Sequence, residues 1–201
     1  MFLKKIKPPF KISFNKFTLQ KKHSSAMFIL DPNKAYPQKI VSPATVRFQD
    51  CDPLNHLNNI KYFDYFFNAR EDALEREYGF DFLTYFQKYQ CTWVAYNHQI
   101  AYLSAALIKE KILVVSGIIH HTDDTVITEY VMTDLSGKHL KSVFWSTAKY
   151  FNLQTGKKTI HQPELDLLLK KIKITDINFE STSFESRIKT IKTQLSAGTY
   201  F

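Results

Sequence analysis

The stretch V46-R-F-Q-D-C-D-P-L-N-H-L-N-N-I-K-Y-F-D-Y-F-F-N-A-R70 decides the reading of this chain. It joins a segment of strand-like alternation to an aromatic-rich segment of helical periodicity, and places two aspartates, a histidine and three asparagines between them. Asp and Asn bond local backbone groups and so end one element or begin the next, but one or two such residues are enough for that. The surplus needs another account.

Upstream, residues 42–51 alternate Val46 and Phe48 with Arg47 and Gln49, the period of a half-buried strand. Downstream, from Asn59 to Tyr78, the polar residues Lys61, Asp64, Asn68, Asp72 and Glu75 recur at helical spacing. They leave a wide apolar face of Ile60, Tyr62, Phe63, Phe66, Phe67, Ala69, Ala73 and Leu74, which predicts a helix largely enclosed by other structure. Gly79 provides its stop. A short aromatic helix or loop follows over 80–90, and then strand-like segments over 91–103, 110–120, 125–134 and 139–152. Residues 134–138, DLSGK, make a hairpin turn between the last two. One strand, one buried helix and an antiparallel run give an α+β layout. Residues 164–172 and 184–194 are short helix candidates. The expected division is an N-terminal extension over 1–44, a domain over 45–170 and an appendage over 171–201.

Composition narrows the function. The chain has 201 residues, of which 44% are hydrophobic, enough for one domain with a sizeable core. Its five glycines lie at 79, 117, 137, 156 and 198, too scattered for a glycine-rich phosphate loop or a G-x-S-x-G nucleophile elbow. The net charge of +8 is uneven: residues 1–30 hold seven lysines and no acid, leaving twenty basic against nineteen acidic residues beyond. The body is thus nearly neutral, and a solvated tail accounts for the charge without nucleic acid. The tail contains no Arg and lacks the apolar run of a secretory signal. No segment approaches the ~20 consecutive apolar residues that span a bilayer. Two cysteines, Cys51 and Cys91, fit a reduced cytoplasmic chain better than a disulfide framework.

The histidines show no metal-ligand spacing, and His120 and His121 on a strand face opposite sides, so no metal is expected. Cys51 lies between two acids that disfavour its thiolate.

The run F48-Q-D-C-D-P-L-N-H-L-N-N-I-K-Y-F-D-Y-F-F-N-A-R70 resembles the entry motif of hotdog-fold acyl-CoA thioesterases of the 4-hydroxybenzoyl-CoA thioesterase type. In these, a strand ends in D-x-D, a short loop carries G-H-V-N-N or similar, and a helix with an early Tyr follows. The order of elements agrees over roughly 45–160. The resemblance implies an antiparallel sheet wrapped around one long central helix, active sites between protomers of a homodimer or homotetramer, an acyl-CoA or acyl carrier protein thioester as substrate, and no cofactor. It places the catalytic carboxylate on Asp52, as a nucleophile forming an anhydride or as a general base for water. Backbone N–H groups near Asn58 and Asn59 would polarise the thioester oxygen with the helix dipole. His56 and Asn58 orient the reacting groups or, equally, bond a neighbouring carbonyl and cap the helix. Tyr62, the early Tyr of the helix, is placed at the substrate. Asp50 is expected to anchor the loop, and Glu71 on the helix is a second candidate carboxylate, nearer the polar stripe. Asn55 stands where the motif has glycine; Asn tolerates the left-handed backbone better than most residues. A non-catalytic acyl-thioester-binding sensor or assembly module is the alternative, and a dehydratase a more distant one.

Overall fold

The computed structural model describes residue 31 and residues 33–201. The lysine-rich tail, up to residue 30, therefore lies outside the described residues. Five strands, β1 (Ile40–Thr45), β2 (Cys91–Tyr102), β3 (Lys111–His121), β4 (Thr125–Asp134) and β5 (Leu140–Asn152), form a sheet in the order β1-β3-β4-β5-β2. Every neighbouring pair is antiparallel. A two-residue strand, β6 (Lys157–Lys158), pairs with the end of β5. The helices are α1 (Lys61–Tyr78), α2 (Phe82–Tyr89), α3 (Pro163–Ile172) and α4 (Phe184–Ala197).

The long helix lies against one face of the sheet. Tyr62, Phe66 and Ala69 of α1 share a buried cluster with Ile112 and Val114 of β3, Tyr130 and Met132 of β4, and Phe144 of β5. Gly79 ends α1 in the left-handed conformation at φ 66°, its N–H donating to Glu75 and Leu74 carbonyls. Ile60, expected on the apolar face, is 74% exposed, because it precedes the first helical turn and its N–H is held by the Asn58 side chain. The C-terminal half of α1 packs with α2 and α3 in a second cluster that includes Ala73, Tyr78, Phe80, Tyr85, Leu165 and Leu168.

The alternating stretch 42–51 does not form one strand. β1 stops at Thr45, and Phe48–Asp50 make a single 3-10 turn with Phe48 at 78% exposure. Backbone groups that a strand would pair are taken locally: Arg47 N–H donates to the Tyr65 hydroxyl at 2.8 Å, and Asp50 N–H to the Arg47 carbonyl at 3.1 Å. At its other end β1 begins at Ile40, which is buried, as is Tyr36, so packed chain reaches into the stretch expected as an extension.

The segment expected as an appendage covers the second face of the sheet. It begins alongside β3, with Ile174 N–H donating to the Ile118 carbonyl at 2.8 Å. A Cβ on Gly117 would fall 2.5 Å from Ile174 Cδ1 and 2.6 Å from the Gln38 carbonyl oxygen, so only glycine admits this approach. Further on, Ile191, Leu195 and Tyr200 pack on Val115, Val131, Leu140 and Val143. Two covered faces explain why β3 reads as a nearly continuous apolar run and why β4 is buried along almost its whole length. Among the described residues no helix is long and apolar enough to cross a membrane.

Candidate active site

The polar turn between β1 and α1 is pinned at both ends. Asp52 N–H donates to the His56 carbonyl at 2.8 Å and Asn55 N–H to the Asp52 carbonyl at 3.0 Å. Asp52 Oδ1 accepts from the N–H groups of Leu54 at 2.9 Å and His56 at 3.1 Å. The loop is then fastened to the chain after β2: Leu57 N–H donates to the Ala106 carbonyl at 2.8 Å, and Ile108 N–H to that of Asn55 at 3.1 Å. Asn55 carries φ 61°, the left-handed conformation for which the resembling motif uses glycine.

Beside this loop is a cleft of about 280 Å³, lined by Asp52, His56, Asn59, Tyr62, Tyr102 and Ser104 among others. Four of the five residues singled out in the sequence thus meet in one place. Asp52 uses Oδ1 to hold the loop, so its turn-forming bonds and its place in the cleft coexist. Asn59 fixes the start of α1, its carbonyl accepting from the Tyr102 hydroxyl at 2.9 Å. Tyr62 stacks edge-on against Tyr102, ring centroids 5.0 Å apart, and its hydroxyl accepts from Ala106 N–H at 3.4 Å. Burial pushes the Tyr62 hydroxyl above its ordinary range.

Asn58 is placed differently. Its N–H donates to the Asp50 carbonyl at 2.9 Å, its Oδ1 accepts from Ile60 N–H at 3.1 Å, and its carbonyl from Lys61 N–H at 2.8 Å. These are the bonds of a helix start, and the Asn58 N–H is not left to polarise a substrate. Of the two asparagines, Asn59 is the one that lines the cleft.

Asp50 ties the loop to α1, accepting from the Tyr65 hydroxyl at 2.9 Å with Lys61 Nζ at 3.9 Å. Burial, with the Asp50 carboxylate beside it, pushes the Tyr65 hydroxyl up to about 12. Burial and then the flanking Asp50 and Asp52 hold the Cys51 thiol above its ordinary range. Glu71 is exposed and lines a separate cavity, away from Asp52. His120 and His121 point apart, toward Glu180 and Asp166 respectively. No group of three or more metal-ligating side chains occurs among the described residues.

Two features escaped the sequence reading. Tyr102 and Ser104 join the cleft from the far end of β2, and nothing in their spacing marks them. Arg70 is buried on α1; its signal was an arginine in the apolar register of Phe66 and Ala73.

A carboxylate next to the positive end of an 18-residue helix, in a cleft with tyrosine hydroxyls, suits attack on a polarised carbonyl. The family model of the thioesterase-like superfamily matches residues 46–172. The chain belongs to the thioesterase-like superfamily. The matched region of this thioesterase-like chain starts just past β1 and ends with α3. Among solved structures, it is similar to YbaW, a probable thioesterase from Escherichia coli, at 22% identity and TM-score 0.59, covering 67% of this chain and 98% of that one. It is similar to Slr0204, a 1,4-dihydroxy-2-naphthoyl-CoA thioesterase from Synechocystis, at 13% identity and TM-score 0.60, covering 66% and 96%. SAV2348 from Staphylococcus aureus, solved in complex with CoA, shares 15% identity at TM-score 0.63, covering 76% and 98%. No curated protein matches the chain. The thioesterase-like chain has the hotdog fold, a curled antiparallel sheet with helices.

Proposed function

We propose that this protein hydrolyses an acyl-CoA or acyl carrier protein thioester to the free acid and thiol, as enzymes of the 4-hydroxybenzoyl-CoA thioesterase type do. The observation that carries the reading is the meeting of Asp52, Asn59 and Tyr62 in one cleft at the start of α1. Asp52 attacks the thioester carbonyl as a nucleophile, or removes a proton from the attacking water. The helix start at Asn59 stabilises the oxyanion that develops. Neither step calls for a metal or redox cofactor. Both thiol carriers occur among the neighbours: one is a CoA thioesterase, one was solved with CoA, and another is a 12:0-ACP thioesterase from Umbellularia californica.

The working unit in this reading is a cytoplasmic homodimer or homotetramer. Its support is β2, a 12-residue strand at the edge of the sheet with an exposed middle, which offers backbone groups for pairing with a second copy.

The alternative, a non-catalytic acyl-thioester-binding module, drew its strength from Asn55 in place of glycine. Because Asn55 takes up φ 61°, it can carry the loop along a glycine's path, which favours the enzyme. The test is a panel of acyl-CoAs offered to the purified protein with a thiol-detecting reagent. Thiol release from at least one member is the expected result; binding without release across the panel would favour the module.

A further inference from the structure

A second cavity, of about 290 Å³, lies between the C-terminal half of α1, the sheet and α3. It shares no lining residue with the Asp52 cleft. Leu74, Trp93, Ile118, Val126 and Leu168 are typical of its walls, which are largely apolar. It is about twice the size of the ~150 Å³ apolar cavity that accommodates benzene, room for an alkyl chain of roughly ten carbons.

One charged side chain faces this cavity, that of Arg70. Arg70 is only 8% exposed, and its guanidinium carbon lies 5.8 Å from the centroid of the Tyr78 ring. Its Nη1 is fully buried and has no hydrogen-bond partner among the described residues. The guanidinium also bonds the Tyr78 hydroxyl, but a buried cationic N–H group left without an acceptor is costly, and the cost is relieved when an anion arrives. A guanidinium edge suits a carboxylate, which it can engage through two parallel bonds. A single buried positive charge matches a monoanion better than a phosphate dianion.

There is also a way in. An outer cavity of about 590 Å³ shares Phe67, Arg70, Leu74, Phe80 and Tyr130 with the inner one, and its lip carries the exposed Phe82 and Leu83. Its acids are Glu71, Glu75 and Asp81. Asp81 spends its carboxylate capping α2, accepting from Leu83 and Thr84 N–H. Glu71 and Glu75 are exposed, so salt screens them, whereas the buried Arg70 is screened little.

We propose that the inner cavity binds a medium-chain carboxylic acid, with its carboxylate on Arg70 and its alkyl chain along the wall formed by α1, the sheet and α3. The site is independent of the assignment of Asp52, because the two cavities have separate walls.

The test titrates the full chain with decanoate and, separately, with decan-1-ol, followed by calorimetry and by tryptophan fluorescence, Trp93 lining the cavity and Trp145 lying outside it. Wild type is expected to bind decanoate roughly tenfold or more tighter than the alcohol, as a charge-assisted hydrogen bond provides. Arg70→Gln should abolish that preference by weakening decanoate alone. Ala95→Phe, at an exposed lining position, should weaken both ligands. The wild-type comparison needs no variant to fold. Absence of decanoate binding, equal binding of acid and alcohol, or a preference that survives Arg70→Gln would each overturn the proposal, and none of these results bears on acyl-CoA hydrolysis.

Discussion

Arg187 of α4 and Glu129 of β4, 58 residues apart, form a bidentate pair inside the protein. Arg187 Nε donates to Glu129 Oε2 and Nη2 to Oε1, both at 2.9 Å, with the side chains 4% and 2% exposed. The Trp145 indole N–H donates to the same Oε2 at 3.0 Å. The pair fixes α4 to the face of the sheet opposite α1. Arg187→Met should leave a buried carboxylate with only the indole and cost about 3–5 kcal/mol. A fall in melting temperature on the order of 10 °C is the expected readout. Adding Glu129→Gln should restore part of it, since no uncompensated charge then remains. An unchanged melting temperature in the single variant would mean that α4 is not held this way.

Asp52→Asn tests the proposed chemistry. The amide keeps the Oδ1 acceptor for Leu54 and His56 N–H, so the loop should stay closed and the fold intact. Turnover of the best acyl-CoA should drop by on the order of 10²-fold or more, with acyl-CoA binding far less affected. Asp50→Asn weakens the ties to Tyr65 and Lys61, and Glu71→Gln lies outside the cleft; both should lose less. Retained turnover in Asp52→Asn together with loss in Glu71→Gln would transfer the role to the helix carboxylate.

How far the sequence revealed this arrangement depends on which physical signal each part leaves. The helix ending at Gly79 came from periodicity, because a half-buried helix repeats its apolar residues at its own pitch, while the strands over 91–152 came from strand-like stretches and the D-L-S-G-K turn between the last two. The D-x-D and H-x-N-N residues came from motif, and three of them meet Tyr62 in the cleft. Asn58 was open in the sequence because the same residue type that orients a substrate also starts helices, and its bonds here are those of a helix start. The packing of 171–201 was missed since a short helix behind a Ser/Thr-rich link looks like an appendage. Yet the clue lay in β3: the run ILVVSGII has no polar face to give to solvent, so something had to cover both sides. Arg70 left only one charge in an apolar register.

Asn55 offers a backbone test of the site. Its φ of 61° suits Gly and Asn, and its N–H and carbonyl are both bonded, to Asp52 and Ile108. Asn55→Gly should therefore keep both melting temperature and turnover close to wild type. Asn55→Val should cost about 1–2 kcal/mol from the Cβ clash, and should lower turnover as well because the strained loop carries Asp52. The two variants, compared by thermal melting and thiol release, separate conformation from side-chain chemistry: equal loss in Asn55→Gly would mean that the amide itself takes part.

His161 gives the fold a predictable response to acid. Its Nε2 accepts from the Trp93 indole N–H at 3.2 Å, and its ring packs on Tyr150 with centroids 4.8 Å apart. Burial holds its pKa below the ordinary 6.5, and burial does the same to His121. Folding therefore disfavours the charged form of both, and the unfolded chain takes up protons more readily from about pH 6.5 downward, so stability is full above that pH and falls as pH drops below it. The carboxylates whose pKa is lowered, Asp124 and Asp166 among them, start from an ordinary 3.8 and lose their contribution only in more acidic solution. The interval between pH 7 and pH 5 therefore isolates the histidines. Melting temperature should decline across it, and His161→Gln, which cannot charge, should make the decline shallower. If the slope is the same in the variant, His161 does not carry the acid sensitivity.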